Sequence, residues 1–253
     1  MTMTPRALAQ ELADKTTQAP KRRGPLLRRY SVSRLDEAGR EKITEHMAPA
    51  TAEFENAFNA FARGAVVQTT EGPCAVEDLR PGMFLETAEH GAQEVLWIGS
   101  MTVVPTAPVP DPAQVRMTRI RPDRFGYACP SADLMVGPGA RVLHTPDVLR
   151  DHEERGQTYV GLADFVDYDT VFEVTPGGPV DTFHICLARH STILAQGLGV
   201  ESFHPGHRLA EQMGPHKMAL FLSLFPHVTE LRDFGPLAHP RLDRETIARL
   251  NAA

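Results

Sequence analysis

The sequence predicts an all-β domain with helical additions, on three observations. From Ala65 onward the apolar residues recur with a period of two in short runs. Turn residues separate those runs throughout, and the 253 residues include 21 prolines and 19 glycines. The strands do not alternate with long helices, which argues against a parallel α/β sheet. No internal repeat is strong enough to indicate a propeller.

Residues 1–50 are polar and broken by proline, and they read as a mobile N-terminal arm. The basic run "KRRGPLLRRY", Lys21 to Tyr30, is taken as part of that solvated arm rather than as a phosphate contact. "SRLDEAGREKITEHM" predicts a loose helix from Ser33. A second helix is expected after Thr51, which would cap it. Phe54, Ala57, Phe58 and Phe61 fall on one helical stripe, and Gly64 stands where a glycine stop belongs.

Then come the strands. "AVVQTT", "CAVEDL" and "MFLETA" are separated by the turns "EGP" and "RPG". "AQEVLWIGSMTVV" is long enough to bend through Gly99 and serve two sheets. After a proline-rich loop follow "VRMTRIR", "DLMV", "ARVLHT", "TYVGL", "VFEVTP" and the long stretch from Val180 to Phe203. From about residue 207 the pattern turns helical, and Leu220, Phe221, Leu224 and Phe225 give one segment an apolar face. The expected organisation is an arm (1–50), a β domain with a leading helix (51–206) and a helical C-terminal extension packed on it (207–253).

Composition narrows the function. The net charge of −6 favours neither nucleic acid nor an anionic membrane. The three cysteines form no CxxC pair, so no disulfide framework or cysteine zinc site is expected, and a reducing, cytoplasmic setting is. No apolar signal region and no run of eighteen apolar residues occurs. The histidines, His204 and His207 among them, lie near Pro and Gly without a metal-binding pairing, so neither metal nor cofactor is expected. Asp164, Asp167 and Asp169 do not continue into a calcium loop. No G-x-S-x-G elbow supports an unrelated hydrolase.

Four phrases occur in order: "GPCAVEDLRPGMFLET", "VLWIGS", "DLMVGPGARVL" and "DTFHICLARHSTILAQGLGVESFHPG". From Phe61 to Gly206 this order resembles the Hint fold, the module shared by hedgehog autoprocessing domains and inteins, and most of all its bacterial form. The resemblance implies self-cleavage chemistry. A Cys or Ser at the first residue attacks the preceding carbonyl, a His protonates the leaving amine, and backbone donors hold the oxyanion.

Set on the family's pattern C-F-x-x-G-T, "AFARGA" puts Ala60 at the nucleophile position and Ala65 where Thr is usual. Set on S-P-x-H-R-V-L, "GPGARVL" puts Gly137 for the Ser and Ala140 for the His, and keeps Arg141. The resemblance therefore implies a degenerate site with no catalytic residue at its usual place. The bond at issue, Asn59–Ala60, is expected inside the Phe54–Phe61 helix. What remains is a binding or scaffold module, with the C-terminal helices as a route to a protein partner.

The alternative is an active, cysteine-dependent autoprocessing domain with displaced residues. His184 and Cys186 are two apart on one strand face, and His190 joins them if the strand runs straight. Cys74 and Cys129 read as structural thiols, with no basic neighbour to activate Cys74.

Overall fold

The computed structural model describes residues 26–149 and 156–252. In chain order its strands are β1 (Leu27–Leu35), β2 (Glu41–Pro49), β3 (Phe61–Ala62), β4 (Val66–Thr69), β5 (Gly72–Ala75), β6 (Phe84–Thr87), β7 (Gly91–Val103), β8 (Met117–Ile120), β9 (Leu134–Val136), β10 (Arg141–His144), β11 (Thr158–Gly161), β12 (Val171–Val174), β13 (Val180–Leu187), β14 (Thr192–Ala195), β15 (Leu198–Glu201) and β16 (Arg241–Leu242). The helices are α1 (Ala52–Glu55), α2 (Leu209–Gln212), α3 (Pro215–Leu222) and α4 (Arg244–Ala252). One continuous, strongly curved sheet runs β12-β8-β9-β3-β13-β7-β6-β4-β14-β15-β10-β11-β16, with β1 and β5 branching from β7 and β4. The fold is all-β. Among the described residues no helix is long and apolar enough to cross a membrane.

Two sequence expectations fail near the N-terminus. Residues 1–25, where the basic run begins, lie outside the described residues. From Leu27 the chain is neither arm nor helix. β1 pairs with β2 along its whole length, Leu27 opposite Pro49 and Leu35 opposite Glu41, and also docks on β7 through Ser31–Arg34. Tyr30 and Val32 point inward and are fully buried. The Tyr30 hydroxyl donates to the Pro49 carbonyl at 2.9 Å, and Arg28 pairs with the buried Glu55. Burying two large apolar side chains is worth roughly 3–6 kcal/mol, enough to draw a polar strand onto the sheet.

The second helix is also shorter than its stripe. α1 starts after Thr51 but ends at Glu55, and Gly64 lies in a turn beyond β3. Phe54, Ala57, Phe58 and Phe61 are all buried all the same, because the chain turns into β3 and carries Phe61 to the other core.

β7 serves both halves of the sheet, as its length suggests. Residues 91–94 pair with β6, and residues 95–103 pair with β13. The break lies at Leu96, opposite a bulge at Cys186/Leu187, and not at Gly99. Gly99 has a different reason: a Cβ there would lie 2.0 Å from the Trp97 ring and 2.6 Å from Phe58. That close approach lets Trp97 fold back over its own strand and fill the second core.

The apolar interior has two parts. One lies within the curved sheet and contains Phe61, Leu85, Ile98, Val136, Val142 and Ile185. The other joins the hairpin and α1 to the C-terminal segment through Phe58, Trp97, Phe203, Phe221 and Phe225. Trp97 Nε1 donates to the Leu224 carbonyl at 2.8 Å, and the Trp97 and Phe225 rings lie 4.6 Å apart. Of the apolar face expected near the C-terminus, Phe221, Leu224 and Phe225 are buried, whereas Leu220 stays exposed.

Candidate functional site

β3 lies between two strands. Phe61 faces Val136 of β9 on one side and Phe183 of β13 on the other. The residues just before β3 are therefore held between β13 and the tight loop 137–140 that joins β9 to β10. Every backbone group of the Asn59–Ala60 peptide is engaged there. The Asn59 carbonyl accepts from Gly139 N–H at 2.8 Å, and Ala60 N–H donates to the Phe183 carbonyl at 3.1 Å. The next carbonyl, that of Ala60, accepts from Gly137 N–H at 2.8 Å. On the N-terminal side Thr182 Oγ1 donates to the Phe58 carbonyl at 3.1 Å, and His184 Nδ1 to the Asn56 carbonyl at 2.9 Å.

Asn59 and Ala60 are both fully buried. The peptide is not helical, contrary to the sequence expectation, since α1 has already ended. It is a buried, hydrogen-bonded strand entry. Gly139 N–H on the Asn59 carbonyl is the kind of donor that steadies an oxyanion. The methyl groups of Ala60 and Ala140 are buried in the inner core.

Asn59 also explains Gly137. A Cβ at 137 would stand 1.7 Å from Asn59 Oδ1 and 2.6 Å from the Asn59 carbonyl oxygen. The asparagine side chain thus fills the space that any larger residue at 137 needs. Its Nδ2 reaches the Gln114 carbonyl only at 3.5 Å, and Oδ1 has no partner among the described residues. Gly137→Ser is expected to destabilise the fold by about 1–3 kcal/mol through overpacking. Adding Asn59→Gly should recover part of that loss. Thermal unfolding of the two single variants and the double variant measures the coupling, and strictly additive effects would refute the steric link.

A family model described as a Hint domain matches residues 59–207, more than half of the chain, and begins at Asn59, immediately before the Ala60 position. The chain belongs to the Hint-domain family. No curated protein matches it. Among solved structures it is similar to a bacterial intein-like domain from Clostridium thermocellum, at 11% identity and a TM-score of 0.38 over 58% of this chain and 99% of that one.

Within this Hint domain the other candidate residues separate. His184 is buried against the Asn56 carbonyl, and burial pushes its imidazole down to about 4 against the opposing pull of that carbonyl. Cys186 shares its strand face, but its neighbour is His227, with Sγ and Nε2 3.4 Å apart. Burial pushes the Cys186 thiol up to about 12 and the His227 ring down to about 4, so both stay neutral at pH 7. A thiolate is the reactive form, and this site disfavours it. Cys186 is expected to resist iodoacetamide in the native state and to react only on unfolding. Peptide mapping after alkylation checks this, with the less buried Cys74 and Cys129 as internal comparisons.

His190 does not join that face. The bulge and the turn after Leu187 carry it into a polar cluster around Glu201. Its Nδ1 accepts from Ala238 N–H at 2.9 Å, which leaves the ring proton on Nε2, 3.1 Å from Glu201 Oε1. Glu201 accepts from Arg241 Nε at 2.8 and 3.1 Å, and Arg141 lies 3.7 Å away. Burial alone would raise the Glu201 carboxyl, but His190, Arg241 and Arg141 outweigh it and hold it down at about 2.

Further out, His239 contacts Glu89, which accepts from Thr192. His204 contacts the Gly235 carbonyl at 3.0 Å, and burial pushes this ring down to about 4. These histidines clamp the segment 235–241 onto the β domain. Among the described residues no group of three or more His, Cys, Asp or Glu is placed to hold a metal ion. Asp167 closes its own turn by accepting from the N–H groups of Asp169, Thr170 and Val171.

Asn59, Glu201, His227 and Arg241 were not singled out by sequence reasoning for these roles. Only Asn59 left a local signal: a bulky polar residue before Ala60 together with a glycine at 137. Cys186 and His227 lie 41 positions apart, and Glu201 and Arg241 40.

Proposed function

We propose that this Hint domain no longer processes its own backbone and works as a binding module. One observation carries the reading. The peptide that the family chemistry would attack is buried and hydrogen-bonded on both sides, with alanine at the nucleophile and proton-donor positions. Removing members of such a machinery together leaves little to measure, because nucleophile and acid act as a unit.

The displaced-residue alternative, Cys186 with His184, gains no support. The Cys186 neighbour is His227, and its thiol is buried. The C-terminal segment, which sequence reasoning offers as a route to a partner, supplies both the tail of the second core and the wall of the cleft described below.

The test is the intact mass of freshly made protein, incubated with and without dithiothreitol and with hydroxylamine. A single unchanged full-length mass is expected. Fragments from cleavage at Asn59–Ala60, or beside any cysteine, would sink the proposal.

A further inference from the structure

Two adjoining clefts, of about 330 and 700 Å³, share the wall Arg141, Arg241, Pro205, Leu209 and Gln212, and the smaller opens beside the buried Asn56–His184 contact. The larger is completed by His207, Arg208 and the proline-bounded stretch from Pro236 to Pro240. Together they have the size and mixed lining of a small-ligand site.

The charged side chains that line the two clefts are mostly basic, Arg141, Arg208 and Arg241 against Glu53. Arg141 and Arg241 carry two positive charges, and Glu201 supplies one negative charge between them. Arg208 lines the larger cleft and Glu53 the smaller one, while the carboxylates of Asp164 and Asp243 act on Arg141 and Arg208 from outside the lining. His184 and His204 add none at pH 7, since burial holds both rings near 4.

The donors are also under-used. A guanidinium has five N–H donors. Arg141 reaches only the Gly139 carbonyl at 3.5 Å and Glu201 at 3.7 Å, both at the long limit. Arg241 spends Nε on Glu201 and Nη2 on the His204 carbonyl, while its Nη1 finds no hydrogen-bond partner among the described residues. The side chain of Arg208 makes no hydrogen bond among the described residues either. Gly206 keeps the approach open: a Cβ there would stand 2.6 Å from Arg241 Nη1, and its φ of +81° favours glycine in any case.

We infer that this cleft binds a carboxylate carried on an apolar body, with Arg141 and Arg241 as the fork and Leu209, Pro236 and Leu237 as the apolar wall. Planar guanidinium groups recognise carboxylates with paired hydrogen bonds. The inference rests on reading the chain as a binding module, and it gives that module a ligand class. The carboxylate has two sources, a free organic acid or the C-terminal end of a peptide chain.

The test is calorimetric titration of the full chain with four probes. These are benzoate, its neutral isostere benzamide, and a Leu-terminated tripeptide with a free or an amidated C-terminus. At least one carboxylate probe is expected to bind ten-fold or more tightly than its neutral counterpart. Stronger binding of benzoate points to a free acid, and stronger binding of the free peptide to a chain terminus. Arg141→Gln should weaken binding at least ten-fold and the exposed Arg208→Gln several-fold. Because Arg208 lies at the rim, that variant stays informative even if the first one unfolds. Equal binding of charged and neutral probes, no binding at all, or affinity unchanged in both variants overturns the inference. A chain of unchanged mass that binds no carboxylate refutes this site alone, whereas a chain that cleaves itself refutes the reading beneath it.

Discussion

Glu201→Ala is expected to lower stability by about 3–5 kcal/mol, and so to lower Tm by roughly 10 °C in a chain of this size. Glu201 is 2% exposed, accepts from Arg241, and lies within ion-pair reach of Arg141 and the His190 ring. Deleting it leaves two guanidinium groups close together with no anion between them, and removing one partner of a buried ion pair is far costlier than the pair's net worth. The damage should spread to the C-terminal segment, because Arg241 Nη2 also holds the His204 carbonyl at 2.7 Å and β16 pairs with β11. Glu201→Gln keeps the shape and one acceptor oxygen and should lose less. Circular dichroism melts of the three proteins decide the matter. An alanine variant melting within about 2 °C of the parent would mean that the cluster is solvated and dispensable.

Acid should unfold the chain earlier than its net charge suggests. His184, His204 and His227 each drop from the usual 6.5 to about 4, chiefly through burial. A depressed histidine binds its proton more readily once unfolded. The unfolded state therefore takes up protons first, and stability falls as pH drops from 6.5 to 4. With three such rings the steepest slope is roughly 4 kcal/mol per pH unit. Below that window Glu201 continues the decline, because its carboxyl is held at about 2 against a usual 4.5 and its contribution disappears as pH falls through that range. Glu55, raised by burial against the pull of Arg28, works weakly the other way. Tm should be level from pH 8 to 6.5 and then fall steeply toward pH 4. A flat profile across that window would show that the three rings are hydrated.

The sheet was legible in the sequence because its strands carry apolar side chains at every second position, and the order of phrases from Phe61 to Gly206 carried the family. The hairpin was not legible, for a physical reason. The inward face of β1 consists of Arg28, Tyr30, Val32 and Arg34, so only two of four positions signal burial, and the arginines reach partners or the surface along their stems. The Phe54–Phe61 stripe misled for the opposite reason. Its residues are all buried, but in two different cores, so burial followed the spacing while helix geometry did not. In the site, the sequence shows alanine at positions 60 and 140 directly. The filling of the space at Gly137 by Asn59, and the partnership of Cys186 with His227, depend on contacts between distant segments.

The bond from Trp97 to the Leu224 carbonyl spans 127 positions. During synthesis the ribosome exposes β7 long before residue 224 emerges, and chains grow at only about 5–20 residues per second. For several seconds the aromatic half of the interior has a floor and no lid: Phe58 and Trp97 are present, while Phe221 and Phe225 are still to come. A nascent chain halted before residue 220 would display an open aromatic trough, and it is in that interval, more than in the finished molecule, that chaperone engagement should be concentrated.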